Sequence, residues 1–541
     1  MPKKKVLLVL LLLPLVSALL LSLPFLVEGV WFIALIALLP LLAAEEIATR
    51  RGIRGFWAIY YLAFLIWNLL TTWWVYLATP PGAIAAFTIN ALQMSLVFGL
   101  FRRMRRLTGG FLPYLFLIIT WLAWEHCYFN WHVSWPWLVL GNSFATSLSI
   151  IQWYEYTGVL GGSLWVLLTN ALLFRIIKMK CNGERVALSA LSAALVILLP
   201  IVASLLIDAS LKREIQQEGE SGPRAAFAII QPNIDPYSDK FGGMSQSAQT
   251  TQLLQLSAEA LDNMPTLGDS STIVLSPETF LSPDGSRNSL LLEYAPLENS
   301  SFRRIYDFAT NRGVDYIVGG VTYSIDETAA KRNTHNTAAM IFREGAIEYY
   351  HKSKLVIMAE STPFVGIFKP LEKFAIDLGG SVGSFTTQKE RSIFSTSNGV
   401  KIGTAICYES VYGDFYREYI LKGANVMSII TNDGWWGNTP GHRQHLHYAS
   451  LRAIETRRAI ARCANTGISA FIDKRGRIVA ASEWWKPQYL NGSLPLEERL
   501  TFFVTNGDVI GRVALFLFWL LLIMGVVRAL TRGKLSPQGK E

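Results

Sequence analysis

The sequence predicts a bundle of transmembrane α-helices joined to one α/β domain. Two observations predict this fold class: the positions of the apolar runs and the positions of the basic residues. The chain has 541 residues, 51% of them hydrophobic, and long apolar runs dominate residues 1–211. Residues 223–508 instead show the pattern of a globular α/β domain, and an apolar run returns at 509–530. We therefore predict a helical bundle, an α/β domain, a last transmembrane helix and a short tail at 531–541.

The basic residues of the amino-terminal part predict the number and direction of the spans. Every Lys and Arg in the first 211 residues falls within one of four clusters, at residues 3–5, 50–54, 102–106 and 175–185. Each interval between clusters can hold two spans of about 20 residues, and the interval after the fourth cluster holds one. Because basic loops stay in the cytoplasm, we expect eight spans in total, cytoplasmic termini and an extracytoplasmic α/β domain.

The formal net charge of +9 does not by itself indicate a nucleic-acid partner. The basic residues mark membrane topology rather than one binding surface, so we expect a membrane environment and no nucleic acid. A cleaved signal peptide is an alternative interpretation of the first apolar run. That run continues past Pro24 and leaves little room for a cleavage site of small residues, which favours a retained helix.

The four cysteines bear on metal binding and on redox chemistry. They are Cys127, Cys181, Cys407 and Cys463. Their spacing is not that of metal ligands, so we expect no zinc site, no other metal and no cofactor. A disulfide between Cys407 and Cys463 is one alternative in an oxidising compartment. The sequence around Cys407 favours a different role for this thiol.

Apolar, β-rich runs that end in polar residues predict the strands of the α/β domain. We expect strands within residues 225–233, 271–280, 315–324, 338–342, 400–410 and 425–436. We expect helices at residues 246–261, 301–312, 414–421 and 445–464. Reacting groups collect at the carboxyl ends of strands in α/β sheets, and Glu278 and Cys407 lie at such ends.

Three residue types in this domain could carry out acyl chemistry together. Cys407 lies at a strand-to-helix elbow, where a thiol can be exposed and the following backbone NH groups can bind an oxyanion. Glu278 could act as its general base, although a solvent-exposed strand end is the alternative. A lysine, Lys352 or Lys354, could stabilise the thiolate and the oxyanion, although either could be an ordinary strand-edge lysine.

Three ordered motifs resemble those of the nitrilase (carbon-nitrogen hydrolase) superfamily. They are PE at residues 277–278, YHKSKLV at 350–356 and CYE at 407–409. This resemblance implies a nitrilase-like αββα sandwich in which Glu278, Lys352 and Cys407 form the catalytic trio. The tyrosine-x-lysine register of the second motif selects Lys352 over Lys354.

The whole chain resembles the membrane-embedded apolipoprotein N-acyltransferase branch of this superfamily. The further matching segments are WWVY at 73–76, WPWLVLG at 135–141, QPN at 231–233, HNTA at 335–338, TNDGWWG at 431–437, GHRQHLH at 441–447, and Arg452, Arg462, Asn465 and Gly467. One segment departs from the family, which commonly reads LVPFGE where this chain has LVIMAE at 355–360. Glu360 nevertheless keeps the spacing of the family's second essential glutamate.

The resemblance implies an acyl transfer in two steps. Cys407, deprotonated by Glu278, would take an acyl chain from the sn-1 position of a phospholipid as a thioester. The thioester would then pass this chain to the α-amine of a diacylglyceryl-cysteine apolipoprotein. Lys352 and the backbone NH of Tyr408 would hold the oxyanion. The other supporting residues would be Glu360, Glu409 and Trp435.

The resemblance also implies a bacterial inner membrane protein whose catalytic domain faces the periplasm. Two alternatives stay open. A membrane-bound nitrilase-type amidase would pass the acyl group to water, and the trio alone does not separate the two reactions. A transporter or sensor would usually carry ionisable residues at mid-membrane, whereas Glu45, Glu46 and Glu125 are expected near helix ends.

Overall fold

The chain divides into two compact units in a computed structural model. The structure describes residues 3–131, 133–218, 222–240, 243–264, 272–283, 290–326, 331–357, 359–361 and 385–534. The helical unit comprises Met1–Trp73, Ala83–Ile207 and Asp508–Glu541. The α/β unit comprises Trp74–Gly82 and Asp208–Gly507. A short segment from the amino-terminal part of the chain therefore packs with the α/β unit.

Long apolar helices make up most of the amino-terminal part. They and their short connecting helices are α1 Lys3–Leu26, α2 Leu39–Arg50, α3 Phe56–Thr72, α4 Val75–Ala78, α5 Pro80–Leu107, α6 Leu112–Phe129, α7 Tyr154–Thr157, α8 Val159–Cys181 and α9 Ala187–Glu218. Inside the helical unit the buried carboxylate of Glu45 pairs with Arg102 and Arg105, so this acidic group is compensated.

Six helical segments among the described residues are long and apolar enough to cross a membrane. They are Lys4–Leu26, Trp31–Arg50, Pro80–Leu107, Val159–Cys181, Ala187–Gln217 and Val509–Thr531. Phe56–Thr72 is apolar but has only 17 residues, and Leu112–Phe129 has 18. The predicted membrane helices are thus confirmed, and the count of eight spans stays a prediction.

Some of the described strands of the α/β unit overlap the predicted apolar runs. The described strands are β1 Arg224–Gln231, β2 Thr272–Leu275, β3 Leu291–Leu292, β4 Asp315–Asp326, β5 Lys331–Ile341, β6 Ile347–His351, β7 Phe394–Ser395, β8 Lys401–Ile406, β9 Val426–Thr431, β10 Ile460–Ala464, β11 Ala470–Ile472, β12 Ile478–Ala481 and β13 Gln488–Pro495. Six of them, β1, β2, β4, β5, β8 and β9, overlap the predicted runs, and the other described strands were not predicted. The helices that follow α9 are α10 Gln246–Asp262, α11 Ser300–Arg312, α12 Gly413–Leu421, α13 Pro440–Thr456, α14 Phe502–Asn506 and α15 Val509–Lys534.

The α/β unit is a sandwich of two sheets covered by helices. The first sheet has the order β13-β1-β2-β4-β5-β6 with β3 paired to β4, and the second has the order β12-β11-β10-β9-β8-β7. β1 lies against β10 and β5 against β8, so the sheets pack face to face. α10 and α11 pack on the first sheet, and α12 and α13 pack on the second. The predicted αββα sandwich is therefore confirmed.

Parallel pairing brings the functional strand ends together. β1, β2 and β4 run parallel in the first sheet, as do β8, β9 and β10 in the second. The central strand β9 is buried along its whole length, because helices and the opposite sheet cover both its faces. Glu278 follows β2 and Cys407 follows β8, so both lie at carboxyl ends of strands in this parallel arrangement.

One predicted helix is wrong in its second half. The sequence predicts a helix over residues 445–464, but α13 ends at Thr456 and residues 460–464 form β10. Arg457 has φ 52° in the left-handed region, which ends the helix. The following IARCA run is short, apolar and buried on both faces, and periodicity does not separate such a strand from a buried helical segment.

Candidate active site

Glu278 lies in a buried turn directly after β2. Only 5% of the residue is exposed, so the alternative of a solvent-exposed strand end is wrong. Its Oε1 accepts hydrogen bonds from Lys352 Nζ at 2.8 Å and from Asn336 Nδ2 at 2.9 Å. The next residue, Thr279, has φ 46°, a strained backbone conformation of the kind found at functional turns.

Lys352 directly follows β6 and is almost fully buried. Its Nζ donates to Oε1 of Glu278 and to Oε1 of Glu360, each at 2.8 Å. Burial alone would lower the pKa of Lys352, but these two carboxylates raise it well above its ordinary value. Lys352 is therefore an ammonium ion in the resting site. Lys354 instead lies over the ring of Tyr412, 5.0 Å from its centroid.

Glu360 completes a turn that carries the departure from the family pattern. Its backbone NH donates to the carbonyl of Val356 at 2.8 Å, and its Oε2 accepts from the NH of Val356 at 2.8 Å. Asn336 Nδ2 donates to Glu360 Oε1 at 2.8 Å as well as to Glu278. The turn thus closes without the proline and glycine of the family pattern. Met358 of this segment lies outside the described residues.

Cys407 directly follows β8 and has φ 51°, a left-handed conformation that is strained for a residue with a side chain. The residue is buried, and only 8% of it is accessible. Burial raises the pKa of the Cys407 thiol, and the negative charge of Glu278 raises it further. The positive charge of Lys352 lowers this pKa by a smaller amount, so the pKa lies well above its ordinary value. Cys407 therefore rests as a neutral thiol that needs a base.

The alternative of a Cys407–Cys463 disulfide is also wrong. Both residues are free, buried thiols. Cys463 lies in β10, and its Sγ donates to the carbonyl of Ile230 at 3.1 Å. Cys463 is thus a core residue, which leaves the thiol of Cys407 free to react.

Glu409 is fully buried and links the cysteine turn, residues 406–409, to the lysine loop, residues 350–354, by hydrogen bonds. Its Oε2 accepts from the NH of Ile406 at 2.8 Å, directly before Cys407. Its Oε1 accepts from the NH of Ser353 at 2.6 Å and from the hydroxyl of Tyr350 at 2.8 Å, on both sides of Lys352. Burial raises the pKa of Glu409, and these hydrogen bonds oppose the rise. The carboxylate therefore acts as a clamp between two strand ends.

The other two supporting candidates lie in different surroundings. Tyr408 is buried and packs edge-on against Tyr412, with 5.1 Å between ring centroids. Trp435 is partly exposed, and its carbonyl oxygen accepts from the hydroxyl of Tyr237 at 2.6 Å. These contacts do not involve the side chains of the trio, so the roles of both residues stay predictions.

Lys240 is a buried cation beside Glu278 that sequence reasoning missed. Its Nζ donates to Thr279 Oγ1 at 3.0 Å. Burial lowers the pKa of Lys240 to about 8, and the charge of Glu278 opposes this shift. Lys240 lies in a loop without strand or helix periodicity, so the sequence pattern held no signal for it.

Asn336 was part of a quoted motif, but only the distances show that its side chain donates to both Glu278 and Glu360.

A buried network under Cys407 was also missed. Asp433 Oδ1 lies 2.9 Å from His445 Nδ1, and Asp433 Oδ2 accepts from Arg462 at 2.5 Å. His445 Nε2 lies 3.2 Å from the carbonyl oxygen of Cys407. Burial would raise the pKa of Asp433, but Arg462 and His445 lower it well below its ordinary value. This carboxylate is therefore ionised and anchors the histidine beneath the cysteine turn.

A buried glutamate, lysine and cysteine thus lie at strand ends of an αββα sandwich. The chain belongs to the carbon-nitrogen hydrolase family, whose model matches residues 227–499. A second model, described as the apolipoprotein N-acyltransferase N-terminal domain, matches residues 17–172. Together with the apolar helices, these matches make the chain a multi-pass membrane protein of bacterial type.

Relatives named apolipoprotein N-acyltransferase match along most of the chain. The protein of Chlorobaculum tepidum is 29% identical over 539 residues, which is 95% of this chain and 96% of the relative. The protein of Geobacter metallireducens is 28% identical over 504 residues, which is 91% of each. Among solved structures, Saccharomyces cerevisiae Nit3, of branch 10 of the nitrilase superfamily, is 18% identical with a TM-score of 0.38 and covers 50% of this chain and 90% of its own.

Proposed function

We propose that this chain is an apolipoprotein N-acyltransferase. It transfers an acyl chain from the sn-1 position of a phospholipid to the N-terminal amine of a diacylglyceryl-cysteine apolipoprotein, the final step of lipoprotein maturation. The observation that carries the proposal is the position of Lys352, whose Nζ lies 2.8 Å from both Glu278 and Glu360. The names of two relatives that match 95% and 91% of the chain support the same activity.

The first half-reaction forms an acyl-enzyme. Because burial keeps the pKa of Cys407 high, its proton moves to Glu278 as the sulfur attacks the ester carbonyl. Lys352 and the backbone NH of Tyr408 donate to the oxyanion that develops on the carbonyl oxygen. The C–O bond then breaks, Glu278 returns the proton to the leaving oxygen, and a lysophospholipid departs. The acyl chain is left on Cys407 as a thioester.

The second half-reaction forms the amide. The lipoprotein amine attacks the thioester carbonyl and Glu278 takes a proton from the nitrogen. The same donors hold the second oxyanion, and the C–S bond breaks. The sulfur recovers the proton from Glu278, so the resting thiol is restored. Glu360 and Glu409 keep Lys352 and the cysteine turn in place throughout.

Transfer rather than hydrolysis is supported by the membrane part of the chain. The model that matches residues 17–172 is that of the acyltransferase N-terminal domain. Both substrates carry hydrocarbon chains, and a single helix would suffice to anchor a hydrolase to a membrane. The basic clusters support cytoplasmic termini and a periplasmic catalytic domain in the bacterial inner membrane.

Mass spectrometry of the purified chain after incubation with phospholipid tests the proposal. We expect a mass gain of one acyl group on Cys407, which a lipopeptide with a free N-terminal amine removes as an amide. Cys407→Ala should abolish the adduct, whereas Cys181→Ala, at an exposed cysteine, should leave it intact. Release of free fatty acid at the same rate with and without the amine would instead identify a hydrolase. An adduct on another residue, or none, would refute the assigned nucleophile.

A further inference from the structure

A second cluster of side chains lies beside the lysine strand. Glu293 follows β3, His335 lies in β5 and His351 ends β6. One potential ligand atom from each of the three lies within 4.8 Å of those of the other two. The strand register explains the proximity, because His335 pairs with Thr322 and His351 pairs with Thr337 on neighbouring strands. The expectation of no metal rested on the spacing of the cysteines. That argument does not apply to this cluster, which contains no cysteine.

The hydrogen bonds of His335 determine which ring nitrogen is available. Its Nδ1 lies 2.8 Å from the carbonyl oxygen of Thr386, which can only accept a hydrogen bond. Nδ1 therefore carries the proton, and Nε2 presents its lone pair. Nε2 now lies 2.8 Å from the hydroxyl of Ser324, a neutral donor that a metal ion can replace.

A chain of hydroxyl groups fixes the protonation of His351 in the same way. Thr322 Oγ1 donates its one proton to Glu293 Oε1 at 2.6 Å, so it accepts from Thr337 Oγ1, also at 2.6 Å. Thr337 has then used its own proton and accepts from His351 Nδ1 at 2.9 Å. The lone pair of His351 Nε2 therefore remains available.

Two acceptor atoms consequently face each other. His351 Nε2 lies 3.6 Å from Glu293 Oε1, which is longer than an N–H···O hydrogen bond. In the described part of the chain, no Lys or Arg forms an ion pair with Glu293. A lone pair opposite a partly buried carboxylate oxygen, without a donor between them, calls for a cation.

We infer that Glu293, His335 and His351 bind a divalent transition-metal ion. Two imidazole nitrogens, one carboxylate oxygen and an open fourth position are a ligand set that suits zinc. Thr386, Thr337 and Thr322 supply the outer hydrogen bonds that orient such ligands. The imidazoles are now stacked, with 3.9 Å between centroids and 20° between planes. Metal bonds of about 2.0–2.1 Å require the two rings to turn toward a common point.

The ion would stabilise the position of the strand end that carries Lys352. His351 directly precedes Lys352, and Thr386 lies beyond the Glu360 turn, so one ion would join both sides of the lysine loop. This inference goes beyond the acyl transfer and does not depend on it. Loss of metal binding and loss of the acyl-enzyme are separate results.

Metal titration of the full-length chain in detergent tests the inference. After removal of metals with a chelator, calorimetry should find one Zn²⁺ per chain, and Co²⁺ should give the visible absorption of a four-coordinate N/O site. Glu293→Gln and His335→Gln should each weaken binding more than about 100-fold, because each removes a ligand rather than an outer partner. The two variants serve as alternatives if one fails to fold.

Ser324→Ala is the matched control. It removes the hydroxyl that bonds to His335 Nε2 but no ligand, so the variant should still bind one Zn²⁺. X-ray absorption of the zinc-loaded chain should show two imidazole ligands. A chain that binds no Zn²⁺, or a Glu293→Gln variant that binds it with unchanged affinity, would overturn the inference.

Discussion

The phenolic hydroxyl of Tyr350 donates a hydrogen bond to Glu409 across 2.8 Å, and this bond joins the two sheets of the sandwich. Tyr350 lies in β6 of the first sheet, two residues before Lys352. Glu409 lies two residues after Cys407, in the short 3₁₀ helix Cys407–Val411 that follows β8 of the second sheet. The bond therefore sets the position of the ammonium group relative to the thiol.

Glu409→Gln should weaken both the fold and the activity. The amide has one acceptor oxygen, so its NH₂ group must face the NH of either Ile406 or Ser353. We expect a loss of about 1–3 kcal/mol in the free energy of unfolding and slower acyl-enzyme formation. Tyr350→Phe removes one donor and leaves both backbone NH groups paired with the carboxylate, so it should cost less than Glu409→Gln. Thermal unfolding and adduct formation measure the two effects, and a Glu409→Gln variant equal to wild type in both would contradict the clamp.

Glu278→Gln should slow acyl-enzyme formation by about 10²–10⁴-fold. The amide oxygen can still accept from Lys352, but it does not take the proton of a thiol whose pKa burial raises. Rapid-mixing mass spectrometry of the Cys407 adduct measures the rate. Glu348→Gln, at an exposed glutamate of β6, should react at the wild-type rate. Unchanged kinetics in Glu278→Gln would exclude the glutamate as the base.

Lys240 should make stability depend on pH. Burial lowers its pKa in the folded chain to about 8, from an ordinary 10.5, so between these values the unfolded chain binds more protons. The contribution of Lys240 to the free energy of unfolding is therefore lowest below pH 8 and rises as the pH approaches 10.5. Lys240→Met removes this dependence. Between pH 8 and 10.5 the free energy of unfolding of the wild type should therefore rise by up to about 3 kcal/mol relative to that of the variant. If the free energy of unfolding changed with pH in the same way in both proteins, the lowered pKa of Lys240 would be contradicted.

Asp433→Asn should destabilise the α/β unit by about 3–5 kcal/mol. The substitution leaves the guanidinium of Arg462 buried without its charge partner. Asp262→Asn breaks a pair with Arg312 in which both side chains are largely exposed, and it should change stability by less than about 1 kcal/mol. Unfolding monitored by tryptophan fluorescence compares the two. Equal effects would show that the Asp433 network does not hold the site.

Gly441→Ala should strain the contact between α13 and the segment Trp74–Gly82. A Cβ atom at position 441 would lie 2.5 Å from Cδ2 of the buried Trp74 ring, so we expect a loss of about 1–3 kcal/mol. Combining it with Trp74→Leu should reduce the added effect, since the two positions are in contact. Gly109→Ala, where the new atom meets open space, should be neutral. Additive effects of the pair would argue against this packing.

The strands that carry the trio could be predicted because both faces of these strands are covered. The runs before Glu278 and Cys407 are continuously apolar, and the structure has β2 and β8 there. The motif register selected Lys352, and the distances place it rather than Lys354 beside Glu278. Their catalytic roles stay proposals.

What could not be predicted depends on contacts between distant strands. Asn336 and Lys240 reach Glu278 or its turn from positions 58 and 39 residues away. The stacked pair of His335 and His351 arises from the register of β4, β5 and β6, which no local pattern encodes. The β10 strand was mistaken for helix because a buried five-residue run carries no distinctive period.

The packing of Trp74 implies an order of events during biosynthesis. Its ring contacts that of Trp436 at 4.7 Å, although about 360 residues separate them in the chain. At roughly 5–20 residues per second, Trp74 leaves the ribosome some 20–70 seconds before its partner. The α/β unit therefore reaches its final form only after most of the chain has been translated. A fragment that begins at Asp208 would lack an interior piece and expose a tryptophan-sized hollow beside α13.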